Sequence, residues 1–143
     1  MVAPAAPGGT PDSIETQRPW YNWVMHCQGC HGGNAQGTPG GAPTLASAVA
    51  RFLQVADGRR YLARVPGVSF VDLPDADVAE LLNWVVWQFD PSHVPKDFKP
   101  YTAEEIRILR RSALISNAGI ERNRILQLIA RCNTSRSSAQ CIK

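Results

Sequence analysis

Two thiols and an imidazole stand together in Cys27-Gln28-Gly29-Cys30-His31. The C-x-x-C-H spacing puts two sulfurs on one helical turn and the imidazole directly after them. Such a group suits covalent attachment of a haem. Each thiol reaches one vinyl group on a single porphyrin edge, and the short backbone then carries His31 under the iron. Two other chemistries use paired thiols. A thioredoxin-type redox pair follows a strand in a βαβ unit, whereas the residues before Cys27 carry a helical pattern. A zinc site wants a second Cys/His pair at finger spacing, and Cys132 and Cys141 lie far downstream. Those two cysteines are an even remainder, for which a disulfide is expected. It would close a short loop and contribute about 2–3 kcal/mol on the entropy model.

Helices must position the motif. Pro19 suits a first helical turn, and Trp20, Trp23, Val24 and Cys27 then form one apolar stripe that ends in the first thiol. Gly32 to Pro43 is too rich in glycine and proline for regular structure, and its glycines allow close approach to a flat group. Leu45, Val49, Phe52 and Leu53 follow helical spacing. After Gly58, Tyr61, Leu62 and Val65 continue it. Val78, Leu81, Leu82, Val85, Val86 and Phe89 make the clearest stripe, in a helix over 75–89 that Asp75 or Asp77 can cap. Pro91 to Pro100 is a loop holding His93. Thr102-Ala103-Glu104-Glu105 opens a further helix as a capping box, and a last helix runs over about 119–131. The expected fold is all-α. It divides into a flexible N-terminal segment 1–18, a core domain 19–90 and a C-terminal helical extension 91–143.

At 143 residues and 44% apolar composition, the chain fits one globular domain with an extension. A net charge of +3 is too mild to argue for nucleic acid. The charge is uneven: residues 1–101 carry 7 Lys/Arg against 9 Asp/Glu, and residues 102–143 carry 8 against 3. The basic end can steer an acidic partner, or simply present solvated arginine-rich helices. No stretch approaches the ~20 apolar residues of a membrane span. The first ten residues have neither the charged nor the apolar region of an export signal, so the expectation is an exported, periplasmic protein whose signal peptide is not in this sequence.

The runs Trp23 to Gly32, Gly41 to Leu45 and Leu73 to Val85 resemble the class I c-type cytochromes, the bacterial monohaem electron carriers. The likeness covers residues 19–90, about half of the chain. It implies a cytochrome c-like helical fold in which the helix before the motif crosses the helix at 75–89, with one covalent haem c slotted beneath. It also implies that the Pro43 carbonyl accepts a hydrogen bond from His31 Nδ1. Phe52, Tyr61 and Trp84 are the candidate haem-wall residues. Electron transfer with a redox partner protein (a dehydrogenase, an oxidase or another cytochrome) is the expected role, rather than catalysis.

One departure from the family bears on the metal. The loop that usually supplies a methionine, here 65–74, has no Met, His or Lys, and the only methionines are Met1 and Met25. His93 is the expected second axial ligand, with Lys96 or Lys99 as other donors. The alternative is an open sixth position that binds NO, CO or peroxide. A third reading makes the chain a cytochrome subunit of a dehydrogenase complex, with 91–143 as its contact surface.

Overall fold

A computed structural model describes residues 14–134. Most of the expected segment 1–18, and Cys141 of the expected disulfide, lie outside them. The all-α expectation holds: among the described residues there are helices and no strand. No helix among them is long and apolar enough to cross a membrane.

The first helix, α1 (Ile14–His26), starts upstream of Pro19 instead of at it. Tertiary contacts account for the difference. Pro19 is buried, and the Arg18 guanidinium donates to both carboxylate oxygens of Glu80, at 2.7 and 3.0 Å. A short turn, α2 (Gln28–His31), follows directly and carries Cys30 and His31. After the glycine-rich loop come a 3-10 segment, Val49–Gln54, then α3 (Ala56–Arg64) and the one-turn α4 (Pro66–Ser69).

Helix α5 (Asp75–Phe89) has the expected bounds and buries Val78, Leu81, Leu82, Val85 and Val86. Its cap differs from expectation. Pro74 is the N-cap residue, and Asp75 and Asp77 sit inside the first turn, where their charge meets the positive end of the helix dipole. Trp23 of α1 packs on α5, with ring centroids 4.6 Å from Phe89 and 6.3 Å from Trp84.

The C-terminal part folds back over the rest. In α6 (Ala103–Arg110) the expected capping box is present on one side: Thr102 Oγ1 accepts from the Glu105 N–H at 3.2 Å. Buried Tyr101 is tied down at both ends. Its N–H donates to Asn83 Oδ1 at 2.7 Å, and its hydroxyl donates to the Arg59 carbonyl at 2.6 Å. Burial pushes that phenol well above its ordinary pKa, so it stays a neutral donor. Arg110 donates to the carbonyls of Ser69, Val71 and Leu73 and to Asp75, which fixes the connection between α4 and α5.

The last helix, α7 (Ala118–Thr134), is somewhat longer than expected. Its Ile125 and Ile129 join Leu114, Phe52, Tyr61 and Val85 in one core cluster. Arg124 anchors α7 to α3 by donating to Asp57 at 3.0 Å. That hydrogen bond, and then Arg60 beside it, hold the Asp57 carboxyl below its ordinary pKa.

A depressed carboxyl stabilises the fold above its unfolded pKa, and that contribution is lost as pH falls through the folded value. Asp57→Asn is therefore expected to lower the urea midpoint at neutral pH. The gap to the unchanged protein should close as pH drops below the ordinary Asp value of about 3.9. Denaturation curves at both ends of that range check it; a gap independent of pH would contradict the role given to Asp57.

Candidate functional site

Helix α1 runs into α2 with little interruption. The Cys27 N–H donates to the Trp23 carbonyl at 2.9 Å, and the His31 N–H donates to the Cys27 carbonyl at 3.0 Å. The continuous helical path explains why the thiols and the imidazole follow the apolar stripe of α1. The loop after His31 then wraps back. The Gly37 N–H donates to the His31 carbonyl at 2.7 Å, and Thr38 Oγ1 donates to the Cys30 carbonyl at 2.6 Å. Gly37 has φ +78, and a Cβ there would stand 2.6 Å from the Thr44 backbone nitrogen, so only glycine lets the two arms of the loop cross.

That crossing places Pro43 over the motif. His31 Nδ1 lies 2.9 Å from the Pro43 carbonyl oxygen and donates to it as N–H. The other ring nitrogen, Nε2, then carries the free lone pair.

Cys27, Cys30, His31 and Pro43 line one cavity of about 800 Å³. Its walls are mostly apolar and come from distant parts of the chain. Trp23 is contributed by α1, Leu45 and Val49 follow the loop, and Phe52 and Tyr61 stack at 5.2 Å with their planes 16° apart. Val65, Val68 and Val71 come from the segment around α4, and Val78, Leu81 and Val85 from α5. Burial raises the Tyr61 phenol above its ordinary pKa.

The environment of Cys27 speaks against the redox-pair chemistry. Desolvation, and then the nearby Cys30, push the Cys27 thiol up to about 11, whereas a redox-active cysteine is held below its ordinary value. No group of three His, Cys, Asp or Glu gathers among the described residues in the way a zinc site needs.

Two of the expected residues stand elsewhere. Trp84 does not line the cavity. It lies behind Trp23 and meets Phe89 edge-on at 5.6 Å. His93 is also absent from the lining. It follows α5 in the short 3-10 segment Pro91–His93, and its Nδ1 is 2.5 Å from Asp90 Oδ1. Asp90 is 1% exposed, and its other oxygen accepts from the Ala50 N–H at 2.9 Å. The imidazole thus partners a buried carboxylate that needs a donor.

The first turns of α7 line the cavity with Ala118, Gly119, Ile120, Arg122 and Asn123. Sequence reasoning missed these residues, since no pattern in the chain links them to a motif so far upstream. His26, the last residue of α1, lines the cavity as well.

No family model matches the chain. A protein named cytochrome c-552 from Thermus thermophilus is 38% identical over 106 residues, which covers 62% of this chain and 81% of that protein. A second cytochrome c-552 from the same organism is 38% identical over 106 residues, 62% of this chain and 72% of that protein.

Gly58, in the first turn of α3, shapes the aromatic wall. A Cβ there would stand 1.9 Å from the Phe52 carbonyl oxygen, which is backbone and cannot swing away. Gly58→Ala should displace the Val49–Gln54 segment and cost about 1–3 kcal/mol, the usual range for overpacking. Thermal or denaturant unfolding measures the loss, and an unchanged midpoint would refute the close packing.

Proposed function

Because the chain belongs to the class I c-type cytochromes, we propose that it is a periplasmic electron carrier whose single haem c is attached through Cys27 and Cys30 and ligated by His31. The observation that carries this reading is the meeting of the C-x-x-C-H motif with an apolar cavity of about 800 Å³.

The residues present fit the group. The walls are valine, leucine and aromatic carbon, which suit a porphyrin face. The buried Trp23 Nε1 has no hydrogen-bond partner among the protein atoms, although Trp23 lines the cavity. A buried donor of this kind calls for an acceptor that the protein atoms around it do not supply.

Bound there, haem supplies a one-electron couple between ferric and ferrous iron. The chain's part is to attach, orient and shield. The Cys27 and Cys30 thiols would hold the group, each through a thioether made by adding its S–H across a vinyl double bond with no atom leaving. His31 presents Nε2 in one tautomer, because Pro43 holds its Nδ1–H. Phe52, Tyr61, Leu62 and Val85 exclude water from the interior side. Cys30 and Gly41 are exposed, and they mark an edge where a redox partner protein can dock.

Residues 19–90 supply the attachment motif in this reading, and the start of α7 in the extension completes the enclosure. Attachment in an oxidising compartment agrees with pairing of Cys132 with Cys141, which mass analysis of unreduced peptides would show as a linked pair; two thiols open to alkylation in the native protein would refute it.

One haem per polypeptide is expected to stay with the chain after acid–acetone extraction and to cycle reversibly between oxidised and reduced spectra. Replacing both Cys27 and Cys30 by Ala should make the pigment extractable. Extraction from the unaltered protein would overturn the attachment reading.

A further inference from the structure

The cavity walls differ in what they offer a metal. Outside the C-x-x-C-H motif, the cavity-lining side chains among the described residues carry one imidazole, that of His26, and neither a thioether nor an amine. His26 directly precedes Cys27, so the thioether that pins Cys27 to one porphyrin edge holds His26 at that edge too. Met25 is 74% exposed and does not line the cavity. His93 is engaged by Asp90. Tyr61 is kept neutral by burial, which makes it a hydrogen-bond donor and a poor iron ligand.

The segment in which the family carries its methionine here presents Val65, Pro66, Gly67, Val68 and Val71 to the cavity, and none of them can donate a lone pair to iron from its side chain. Beside this apolar wall stands the start of α7, with two side chains that can only donate or donate and accept hydrogen bonds: Arg122 and Asn123. Neither is hydrogen-bonded to another described residue through its side chain. The Arg122 guanidinium lies 5.9 Å from the centroid of the Phe52 ring, near Tyr61.

We propose that this cavity keeps the second axial position of the iron free of ligands from the described residues and takes there a small neutral ligand of the carbon monoxide or nitric oxide class, with Asn123 and Arg122 of α7 as its hydrogen-bond donors. The proposal rests on the haem reading above and extends it. The apolar walls favour a neutral ligand over a charged one, since burying an uncompensated charge is costly. The donors of α7 give a polar ligand atom a partner, which valines cannot. The C-terminal extension thereby becomes part of the binding site, and a change in ligand occupancy is felt directly by α7.

The test uses the purified holoprotein. Haem staining after denaturing electrophoresis first shows whether the group is covalently held; a colourless polypeptide band would fail the attachment reading and not this one. With attachment in place, the reduced protein should show a five-coordinate, high-spin spectrum that converts on titration with carbon monoxide to a saturating low-spin one. A reduced spectrum already six-coordinate and low-spin, or one unmoved by carbon monoxide, overturns the proposal. His26→Ala and His93→Ala should leave the carbon monoxide response intact, and a high-spin form gained only on losing either histidine would identify it as a ligand and overturn the proposal as well. Asn123→Ala should speed carbon monoxide release by roughly fivefold, the equivalent of about 1 kcal/mol, and shift the bound C–O stretching frequency. Rate and frequency both unchanged would remove α7 from the site.

Discussion

The packing of Trp23 is the contact on which the rest of this structure depends. Its ring is 1% exposed, set between Phe89 and Trp84 of α5 on one side and His31 on the other, whose ring centroid is 6.2 Å away. A buried indole removes a large apolar area from water, and here it does so at the junction of α1 with α5. Cys27 follows one turn later, directly after α1, with its N–H donating to the Trp23 carbonyl, so fixing Trp23 also fixes where the first thiol emerges. The motif is thereby held against the wall of the cavity before any bond to a prosthetic group forms.

Around that junction the fold solves a problem of reach. A flat apolar group must be covered on many sides, and no single helix can do so. The glycine-rich loop brings Pro43 back over His31, and α5 lays its valines and leucines along another side. The segment after residue 90 supplies the remainder. It is held by arginines with several partners each, an arrangement that adds geometric specificity to charge. Arg59 donates to both oxygens of Glu105 at 2.8 Å and to the Lys99 carbonyl at 2.7 Å, and lies 4.2 Å over the Tyr101 ring. The Glu105 hydrogen bond raises its pKa further, so it remains a cation at every relevant pH.

The uneven charge of the chain acquires a structural meaning from these contacts. Arg107 and Arg124 pair within their own helices with Glu104 and Glu121, Arg110 and Arg124 reach carbonyls or carboxylates of the core, and Arg64 of α3 donates in return to the Ser112 carbonyl. Two arginines of the C-terminal end, Arg110 and Arg124, thus help to dock the extension.

The chemistry of the site was legible in the sequence because it is local. Cys27, Cys30 and His31 are bound together by five residues of backbone, and no tertiary arrangement can separate them. The stripe of α5 was legible for the same reason, since a period of 3.6 residues is written along the chain. Residues 75–89 accordingly form the helix expected of them. What tertiary structure decided is everything that depends on chain reversal. His93 follows α5 and had the right chemistry for a ligand, yet Asp90, buried at the end of that helix, captures it. Trp84 belongs to the right helix and falls on the face that supports Trp23 instead of the face that lines the cavity. Arg122 and Asn123 reach the cavity only because Leu114, Ile125 and Ile129 bury themselves in the core beside Phe52 and Tyr61. Their hydrophobic burial has no direction of its own. Where it carries α7 is set by the shape of the surface already folded, and that shape exists only in three dimensions.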